Sequence, residues 1–376
     1  MNLEEHAAKS ALLKPAGIPI PQSRLCATVE EAVEAVTVVG PAVVKAQVPS
    51  GKRGKSGGIR FADTPATAAD AARAILGMQI GGHRVERLLV EERCEIAREL
   101  YASVLIDVVA RRPVVLFSME GGMDIEEVAA RNPGAIRRHV VDLPRGFDAS
   151  NATSLLANCD LGKSREAVAD VLVRLYRGFR DHDSELIEIN PLALLKDGRV
   201  LALDCKFVLD DASGSRQPHL AAVATPPRKT ELEARGEANG LKFIQLDGNV
   251  GLLANGAGLT MATMDTIHHF GGGPANFLEI GGEAYTKAEV ALDLVLSNPG
   301  VKSLAVIFCG AFARTDVMAE GVVRAWEALK PKVPVFFSIH GTGEKEAVKL
   351  VRERLGIEPF DGMEDAVKAA VEAARR

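Results

Sequence analysis

Apolar positions in the last third of the chain follow a regular pattern. Short apolar runs, "VGLLAN", "ANFLEI", "SLAVIF" and "VPVFFSI", lead into glycine-bearing turns and into stretches with helical spacing such as "GLTMATMDTIHHF". Continuous apolar strands that alternate with helices are typical of a parallel sheet covered on both faces. The pattern predicts a doubly wound, flavodoxin-like α/β/α domain over residues 240–376.

The pattern before that region is less regular. "AVVKAQV", "VERLLVEE", "ELYASVLIDVVA" and "RPVVLFSM" read as strands, and "TPATAADAARAILG" reads as a helix that begins at a threonine cap. Strands linked by short turns predict an antiparallel sheet, so residues 1–225 are expected to form an α+β domain. The polar, proline-rich segment 211–239 is interpreted as the connection between the domains. At the N-terminus, Asn2 and Glu5 have the spacing of a capping box and predict a short helix.

Composition restricts the class of protein. The 376 residues allow two or three domains, and 45 basic against 50 acidic side chains leave a net charge of −5. A mildly acidic balance argues against nucleic acid or an anionic membrane as the main partner. The five cysteines form no CxxC pair, and no leader-like or membrane-length apolar run is present. A cytoplasmic protein with reduced thiols is therefore expected.

Glycines and cations are concentrated in the loop "KAQVPSGKRGKSGG", residues 45–58. Glycines allow close backbone approach, and Lys45 at the end of a strand offers a rigidly held ammonium, so the loop is a candidate phosphate cradle. The loop lacks the GxxxxGK[ST] pattern of a Walker motif. A solvated basic hairpin turn remains the alternative.

Oxygen ligands occur together in "ELIEINPLALLKDGRVLALDCK", residues 185–206. Glu188 and Asn190 are two positions apart and point to the same face of a strand, and Asp204 on the paired strand can reach that face. Two carboxylates and an amide oxygen suit Mg²⁺, which often bridges to substrate phosphates. The alternative is an acidic surface strand. Glu91 and Glu99, near the ends of neighbouring strands, are candidate nucleotide contacts or ordinary surface carboxylates.

These stretches, with "VEERCEIARELY", "EGGMDIEEVA", "NGAGLTMATMD" and "GGGPANFLEIGG", resemble the β subunit of succinyl-CoA synthetase and related acyl-CoA synthetases of the ATP-grasp type. The resemblance covers essentially the whole chain. It implies nucleotide binding at Lys45, Lys52, Arg53, Gly54, Glu91, Cys94 and Glu99. It implies magnesium ligation by Asn190 and Asp204, and a Glu188 that faces a phosphorylated histidine. It also implies contacts near the acid substrate and the phosphohistidine at Asn255, Gly310, Ala311 and Phe312.

The resemblance further implies an acid–CoA ligase that uses ATP or GTP with Mg²⁺. The phosphohistidine and most of the CoA site would belong to a separate α subunit, in a heterodimer or heterotetramer. The sequence agrees, because none of its eight histidines lies in a glycine-rich turn suited to a mobile phosphohistidine, and no GxGxxG loop is present. In "LLANGAGLTM", a helix start after a tight turn offers an anion site, and Asn255 is expected to cap that helix.

The chain departs from the family pattern in the loop 309–316, in the loop 338–344, and at Lys52 and Cys94. "IFCGAFARTD" is one residue longer than the "FGGIVRCD" of succinate enzymes, and in that respect resembles ATP-citrate lyase. Succinate is the default acid, and malate, citrate or another short dicarboxylic or sulfonated acid is the alternative. Cys309 in this loop is interpreted as a small packing residue. Two other classes remain open: a stand-alone ATP-grasp carboxylate–amine ligase, and a non-catalytic nucleotide-binding subunit.

Overall fold

In a computed structural model, which describes residues 1–49, 53–226, 229–281 and 284–376, the chain divides into two units. The units are Met1–Pro227 and Arg228–Arg376. Among the described residues, no helix is long and apolar enough to cross a membrane.

Fourteen strands and seven α-helices are described in the first unit. The strands are β1 (Asn2–Leu3), β2 (Ser23–Cys26), β3 (Ala42–Gln47), β4 (Ile59–Ala62), β5 (Gln79–Ile80), β6 (His83–Arg84), β7 (Arg87–Glu92), β8 (Ile96–Asp107), β9 (Arg112–Ser118), β10 (Ile136–Val140), β11 (Ser184–Leu195), β12 (Val200–Ala202), β13 (Lys206–Leu209) and β14 (Ala224–Thr225). The helices are α1 (Glu5–Ala8), α2 (Val29–Val39), α3 (Pro65–Ile75), α4 (Ile125–Arg131), α5 (Ala149–Leu155), α6 (Arg165–Asp181) and α7 (Pro218–Ala221).

Two main sheets organise this unit. The larger one has the order β10-β9-β8-β11-β13-β1-β14, with β12 also paired to β11, and the smaller one has the order β2-β7-β3-β4. Their ladders are antiparallel, as the short turns predicted. The larger sheet packs its apolar face against α6, and the smaller sheet packs against α2 and α3. The α+β expectation is confirmed.

The prediction of a capping box at the N-terminus is wrong. Asn2 lies in β1 and pairs with Val208 on one side and Thr225 on the other, so it is extended backbone rather than a helix cap. Glu4 stands at the N-cap position of α1, and its side chain pairs with Arg87. The helix continues from α1 into a π-helical turn, Lys9–Leu13. Strand pairing at both edges of β1 outweighed the local capping preference.

The second unit alternates strands and helices. In chain order its elements are α8 (Glu231–Ala238), β15 (Phe243–Gln245), β16 (Val250–Asn255), α9 (Ala257–His269), β17 (Asn276–Ile280), α10 (Ala284–Ser297), β18 (Ser303–Gly310), α11 (Thr315–Leu329), β19 (Val335–Gly341), α12 (Glu344–Leu355) and α13 (Met363–Ala374).

Its five-stranded sheet has the order β15-β17-β16-β18-β19. The pairings of β16, β17, β18 and β19 are parallel, while β15 adds an antiparallel edge strand that the pattern did not predict. Leu304, Val306 and Phe308 of β18 pack in the core that includes α10 and α11, and Ala305 and Ile307 pack in the opposite core with α9 and α13. This alternation buries both faces and confirms the doubly wound domain.

Candidate functional site

Six charged side chains meet inside the first unit, and we call them the charge cluster. They come from α1, the π-helical turn, β3, the loop after β3, β7 and the connection between β12 and β13. Its members are, in that order, Glu5, Lys9, Lys45, Arg53, Glu91 and Asp204. Three are cations and three are anions, so their formal charges cancel.

Two lysines in the charge cluster bind the same three acceptor groups. Lys45 Nζ donates to Glu5 Oε1 at 3.0 Å, to Glu91 Oε1 at 2.6 Å and to the Leu203 carbonyl oxygen at 2.6 Å. Lys9 Nζ donates to Glu5 Oε1 at 2.6 Å, to Glu91 Oε2 at 2.5 Å and to the same carbonyl at 2.7 Å. An ammonium has three hydrogens, so all the donors of both lysines are engaged.

Arg53 connects this lysine pair to Asp204. Its Nη1 donates to Glu5 Oε2 at 2.6 Å, and its Nη2 lies 2.7 and 2.6 Å from the two carboxylate oxygens of Asp204. The backbone carbonyl of Arg53 accepts from the amides of Ser56 and Gly58, which turns the loop back toward β4. The guanidinium therefore points inward from the base of the glycine-rich loop.

Burial makes these charges depend on one another. Burial alone would raise the pKa of Glu5, but the charges of Lys45, Lys9 and Arg53 outweigh it and hold that pKa well below its ordinary value of 4.5. Burial alone would lower the pKa of Lys45, but Glu5 and Glu91 outweigh it and raise that pKa. Both groups are therefore charged at neutral pH. Removing one partner of such a buried pair costs far more than removing both.

A second polar surface lies on neighbouring strands β8 and β11. Tyr101 donates its hydroxyl hydrogen to Glu188 Oε2 at 2.9 Å, and burial raises the pKa of Glu188. Asn190 Oδ1 accepts from the Gly122 amide at 2.8 Å. A Cβ on Gly122 would come within 1.8 Å of Glu99 Oε2, so this turn brings Glu99 and Asn190 to one place.

The donor set of Asn190 and Asp204 suits magnesium. Asn190 Oδ1 accepts one hydrogen bond, and Asp204 is 35% exposed while it accepts from Arg53 and from the Cys205 amide. Carboxylate and amide oxygens can accept more than one contact each. Mg²⁺ takes one or two such protein oxygens and completes its shell with water and phosphate. In the described ranges, no group of three or more His, Cys, Asp or Glu side chains is placed to hold a metal without such help.

The other nucleotide-site predictions fall at varied places. Glu91 is 2% exposed, so the alternative of a surface carboxylate is excluded for it. Gly54 lies in the exposed turn, where its carbonyl accepts from Gly57 at 3.1 Å. The Cys94 thiol donates to the Glu92 carbonyl at 3.6 Å, and burial raises its pKa. Lys52 lies outside the described residues.

In the second unit, Asn255 does not cap α9. Gly256 stands at the N-cap position, with φ +83°. The Asn255 amide instead binds both backbone groups of Cys309: Nδ2 donates to its carbonyl at 2.9 Å and Oδ1 accepts from its amide at 2.8 Å. The capping prediction is wrong because the neighbouring parallel strand β18 offers two partners to this side chain. Asn255 thereby ties the ends of β16 and β18 together.

The loop after β18 is held through its backbone. Thr342 donates its amide hydrogen to the Gly310 carbonyl and its hydroxyl hydrogen to the Ala311 carbonyl, each at 2.9 Å. The Phe312 side chain is fully exposed. Cys309 is also exposed, so its interpretation as a packing residue is wrong. Cys309 lies on the same face of β18 as Ala305 and Ile307, but next to the end of the strand, where its side chain is no longer covered.

Sequence reasoning missed Glu5 and Lys9. A signal was present, because Glu5, Ala8, Lys9 and Leu12 have the i, i+3, i+4, i+7 spacing of a core-facing helix stripe. Charged side chains at two of those four positions are rarely buried unless they are paired. The stripe therefore indicated a buried ionic contact, although its partners on β3 and β7 are distant in sequence.

Comparisons with known proteins agree with this architecture. The family profile of the ATP-grasp domain matches residues 2–194, and the CoA-ligase profile matches residues 253–371. The β subunit of the ADP-forming succinate–CoA ligase of Herpetosiphon aurantiacus is 41% identical over 380 residues, covering 100% of both chains. The chain belongs to the succinate–CoA ligase β-subunit family.

Other members of the family and a solved structure extend this comparison. The GDP-forming β subunit of Thermus thermophilus is 43% identical over 355 residues, covering 93% of each chain. An ATP citrate lyase from Methanothrix soehngenii, solved in complex with citrate and coenzyme A, matches with a TM-score of 0.70 over 99% of each chain. Its identity is 24%, so this likeness supports the fold alone.

Proposed function

We propose that this chain is the β subunit of an acid–CoA ligase that forms ADP or GDP, with succinate as the default acid. Family membership supports the proposal, and one structural observation carries it. In the charge cluster, Arg53 binds the Asp204 carboxylate and Lys45 binds the carbonyl of the preceding Leu203, so cations for a triphosphate adjoin an oxygen ligand for its metal. We take residues 1–225 as the nucleotide domain and 240–376 as the CoA-ligase domain, boundaries that stay a prediction.

Nucleotide binding is assigned to the first unit. Lys45 and Arg53 would contact the phosphates beneath the glycine-rich loop, and Asn190 and Asp204 would hold Mg²⁺. When bound, the metal neutralises charge on the β- and γ-phosphoryl oxygens. The remaining nucleotide contacts proposed are Lys52, Gly54, Glu91, Cys94 and Glu99.

Phosphoryl transfer goes to a histidine of a partner α subunit. The bond from the γ-phosphorus to its bridging oxygen breaks, a bond to the histidine nitrogen forms, and the nucleoside diphosphate leaves. Glu188 would accept the N–H of that histidine and orient the ring. The hydrogen bond from Tyr101, 2.9 Å, keeps the Glu188 carboxylate in place for this role.

The second unit would serve the acid. A carboxylate oxygen attacks the phosphohistidine phosphorus, the N–P bond breaks and an acyl phosphate forms. The thiolate of CoA, bound mainly by the partner, then attacks the acyl carbon and phosphate leaves. Asn255, Gly310, Ala311 and Phe312 are the proposed contacts, and the first amides of α9 offer hydrogen bonds to the phosphate.

A different acid is the second candidate. Phe312 and Cys309 are both exposed in the loop that departs from the family pattern, so this loop presents an aromatic ring and a thiol to whatever binds there. Malate, citrate or another short dicarboxylic or sulfonated acid would fit a reshaped pocket. Initial rates over a panel of acids would separate these substrates, and a strong preference for succinate would remove the second candidate.

The central test is histidine phosphorylation. The chain and its α subunit, purified together, should transfer the γ-phosphate of labelled ATP or GTP to a histidine of α only when magnesium is present. Turnover of an acid and an amine by the chain alone would favour a carboxylate–amine ligase. Nucleotide binding without any transfer would indicate a non-catalytic subunit. The mass of the same purified complex would distinguish a heterodimer from a heterotetramer.

We also expect the protein to be located in the cytoplasm.

A further inference from the structure

The two buried lysines of the charge cluster have duplicate contacts. Lys9 and Lys45 each donate to Glu5, to Glu91 and to the Leu203 carbonyl, with all six distances between 2.5 and 3.0 Å. Lys9 is 2% exposed and Lys45 is 7% exposed. Of the two, Lys45 lies on β3, the strand that leads into the glycine-rich loop, whereas Lys9 lies on the π-helical turn after α1.

Phosphate binding requires Lys45 to give up contacts. Its three ammonium hydrogens are all donated inside the protein, so none is free for a phosphate oxygen. Arg53 is in the same position, since its two terminal nitrogens are bound to Glu5, to the Ala46 carbonyl and to Asp204. Leaving Glu5 and Glu91 buried without a cation would oppose that rearrangement.

We propose that Lys9 is a positioning residue that makes Lys45 releasable. When Lys45 and Arg53 turn to the triphosphate, Lys9 stays on Glu5, Glu91 and the Leu203 carbonyl and keeps both carboxylates paired. Glu5 has the opposite effect, because its two oxygens hold Lys9, Lys45 and Arg53 together and restrain the phosphate-binding cations. The inference rests on the proposed function, and it adds two residues that contact neither substrate nor metal.

This arrangement predicts opposite effects from two neutral substitutions. Lys9→Met leaves the cluster with one excess negative charge, so Lys45 is held more tightly and affinity for magnesium-bound triphosphate falls. Glu5→Gln leaves one excess positive charge and frees Lys45 and Arg53, so affinity rises. Each change in affinity for the triphosphate should be at least about fivefold, which is the lower end of the range found for energetic coupling between two sites. A merely structural role would lower the affinity in both variants.

Calorimetry with a non-hydrolysable ATP analogue and magnesium tests the inference on the full chain together with its α subunit. Lys14→Met and Glu4→Gln are matched controls, because both residues lie in the same N-terminal segment and Glu4 pairs with Arg87 outside the charge cluster. The controls should bind like the wild type. The double variant Lys9→Met, Glu5→Gln removes both members of one ion pair and leaves the remaining charges balanced, so the affinity should return to within about twofold of the wild type.

Three results would overturn the inference. The first is a change of affinity in the same direction in Lys9→Met and Glu5→Gln. The second is an unchanged affinity in Lys9→Met. The third is a double variant whose affinity is no higher than that of the weaker-binding single variant. If Lys9→Met does not fold, the Glu5→Gln variant decides alone. If its affinity for the analogue does not rise, the positioning role is refuted. A wild-type complex that fails to bind the analogue refutes the proposed function itself, so the two failures are distinguishable.

Discussion

The two units hold their candidate sites by different means. In the first unit, charged side chains from six separate segments meet in a buried cluster whose formal charges cancel. In the second unit, neutral groups hold the candidate site. Asn255 binds the backbone of Cys309, and Thr342 binds the loop that begins at Gly310. The charged site thus depends on paired side chains from distant parts of the chain, whereas the neutral one depends on backbone groups at the ends of neighbouring strands.

Glycines show the same contrast. A Cβ on Gly341, where φ is +104°, would come within 1.9 Å of the Gly310 carbonyl oxygen. The ends of β18 and β19 can therefore approach this closely because one of them lacks a side chain. In the first unit, the glycine-rich loop instead delivers a charged side chain, that of Arg53, into the interior.

The largest effect on phosphoryl transfer is expected at Asp204, which is both a member of the charge cluster and a proposed metal ligand. Asp204→Ala removes a proposed metal ligand and the partner of Arg53, so phosphorylation of the partner histidine should fall by about 10³-fold or more. Transfer of label from γ-labelled ATP to the partner histidine measures this phosphorylation. Asp197→Ala is the control, because Asp197 lies in an exposed turn and pairs with Arg199. Intact phosphorylation in Asp204→Ala would refute the metal assignment.

Stability of the first unit should depend strongly on Glu5. Glu5→Ala leaves three buried cations with two anions, and the free energy of unfolding should fall by about 3–5 kcal/mol. Amide hydrogen exchange of β3 and β7 measures it within this unit. Glu4→Ala, which removes the more exposed pair with Arg87, should cost less than about 1 kcal/mol. Equal losses in the two variants would contradict a special role for the cluster.

The same carboxylate sets a pH dependence. Because the pKa of Glu5 is lower in the folded protein than its ordinary value of 4.5, the folded state binds this proton less readily than the unfolded state. Its contribution to stability is present above about pH 4.5 and is lost as the pH falls toward the folded pKa. Acid titration of Glu5→Gln should show a shallower loss over that window than the wild type. An unchanged slope would assign the acid sensitivity to other carboxylates.

A smaller effect is expected in the neutral site. Asn255→Ala removes two hydrogen bonds to Cys309 and should lower the stability of the second unit by about 1–3 kcal/mol. Trp326, the single tryptophan, lies in α11 and reports unfolding of this unit in urea. Asn239→Ala, which removes one exposed bond to Arg235, is the control. A larger loss than in Glu5→Ala would reverse the contrast between the two sites.

The smallest effect on stability is expected at Phe312. Its ring is fully exposed, so Phe312→Ser should change the unfolding free energy by less than about 0.5 kcal/mol in the same tryptophan assay. The order of preference among succinate, malate and citrate should change, because the ring lies in the loop proposed to contact the acid. Phe61→Ser, another exposed phenylalanine but in β4 of the first unit, should leave that order as it is.

Much of the fold could be predicted from local pattern. Alternating apolar strands and helices predicted the doubly wound unit, and strand runs joined by short turns predicted the antiparallel one. Elements that depend on partners far along the chain were missed. The edge strand β15 and the extension of Asn2 in β1 are stabilised by pairing with distant strands, and their own sequences carry little signal.

For the candidate site, residue types were enough to single out Lys45, Arg53, Glu91 and Asp204, because phosphate and metal chemistry needs cations and carboxylates near glycines and strand ends. Tertiary structure decided how those charges are balanced. Glu5 and Lys9 lie far from their partners in the sequence, and the packing of α1 and its π-helical turn brings them together. A single sequence specifies which charges are available, but the free energy of burying them depends on neighbours that folding alone assembles.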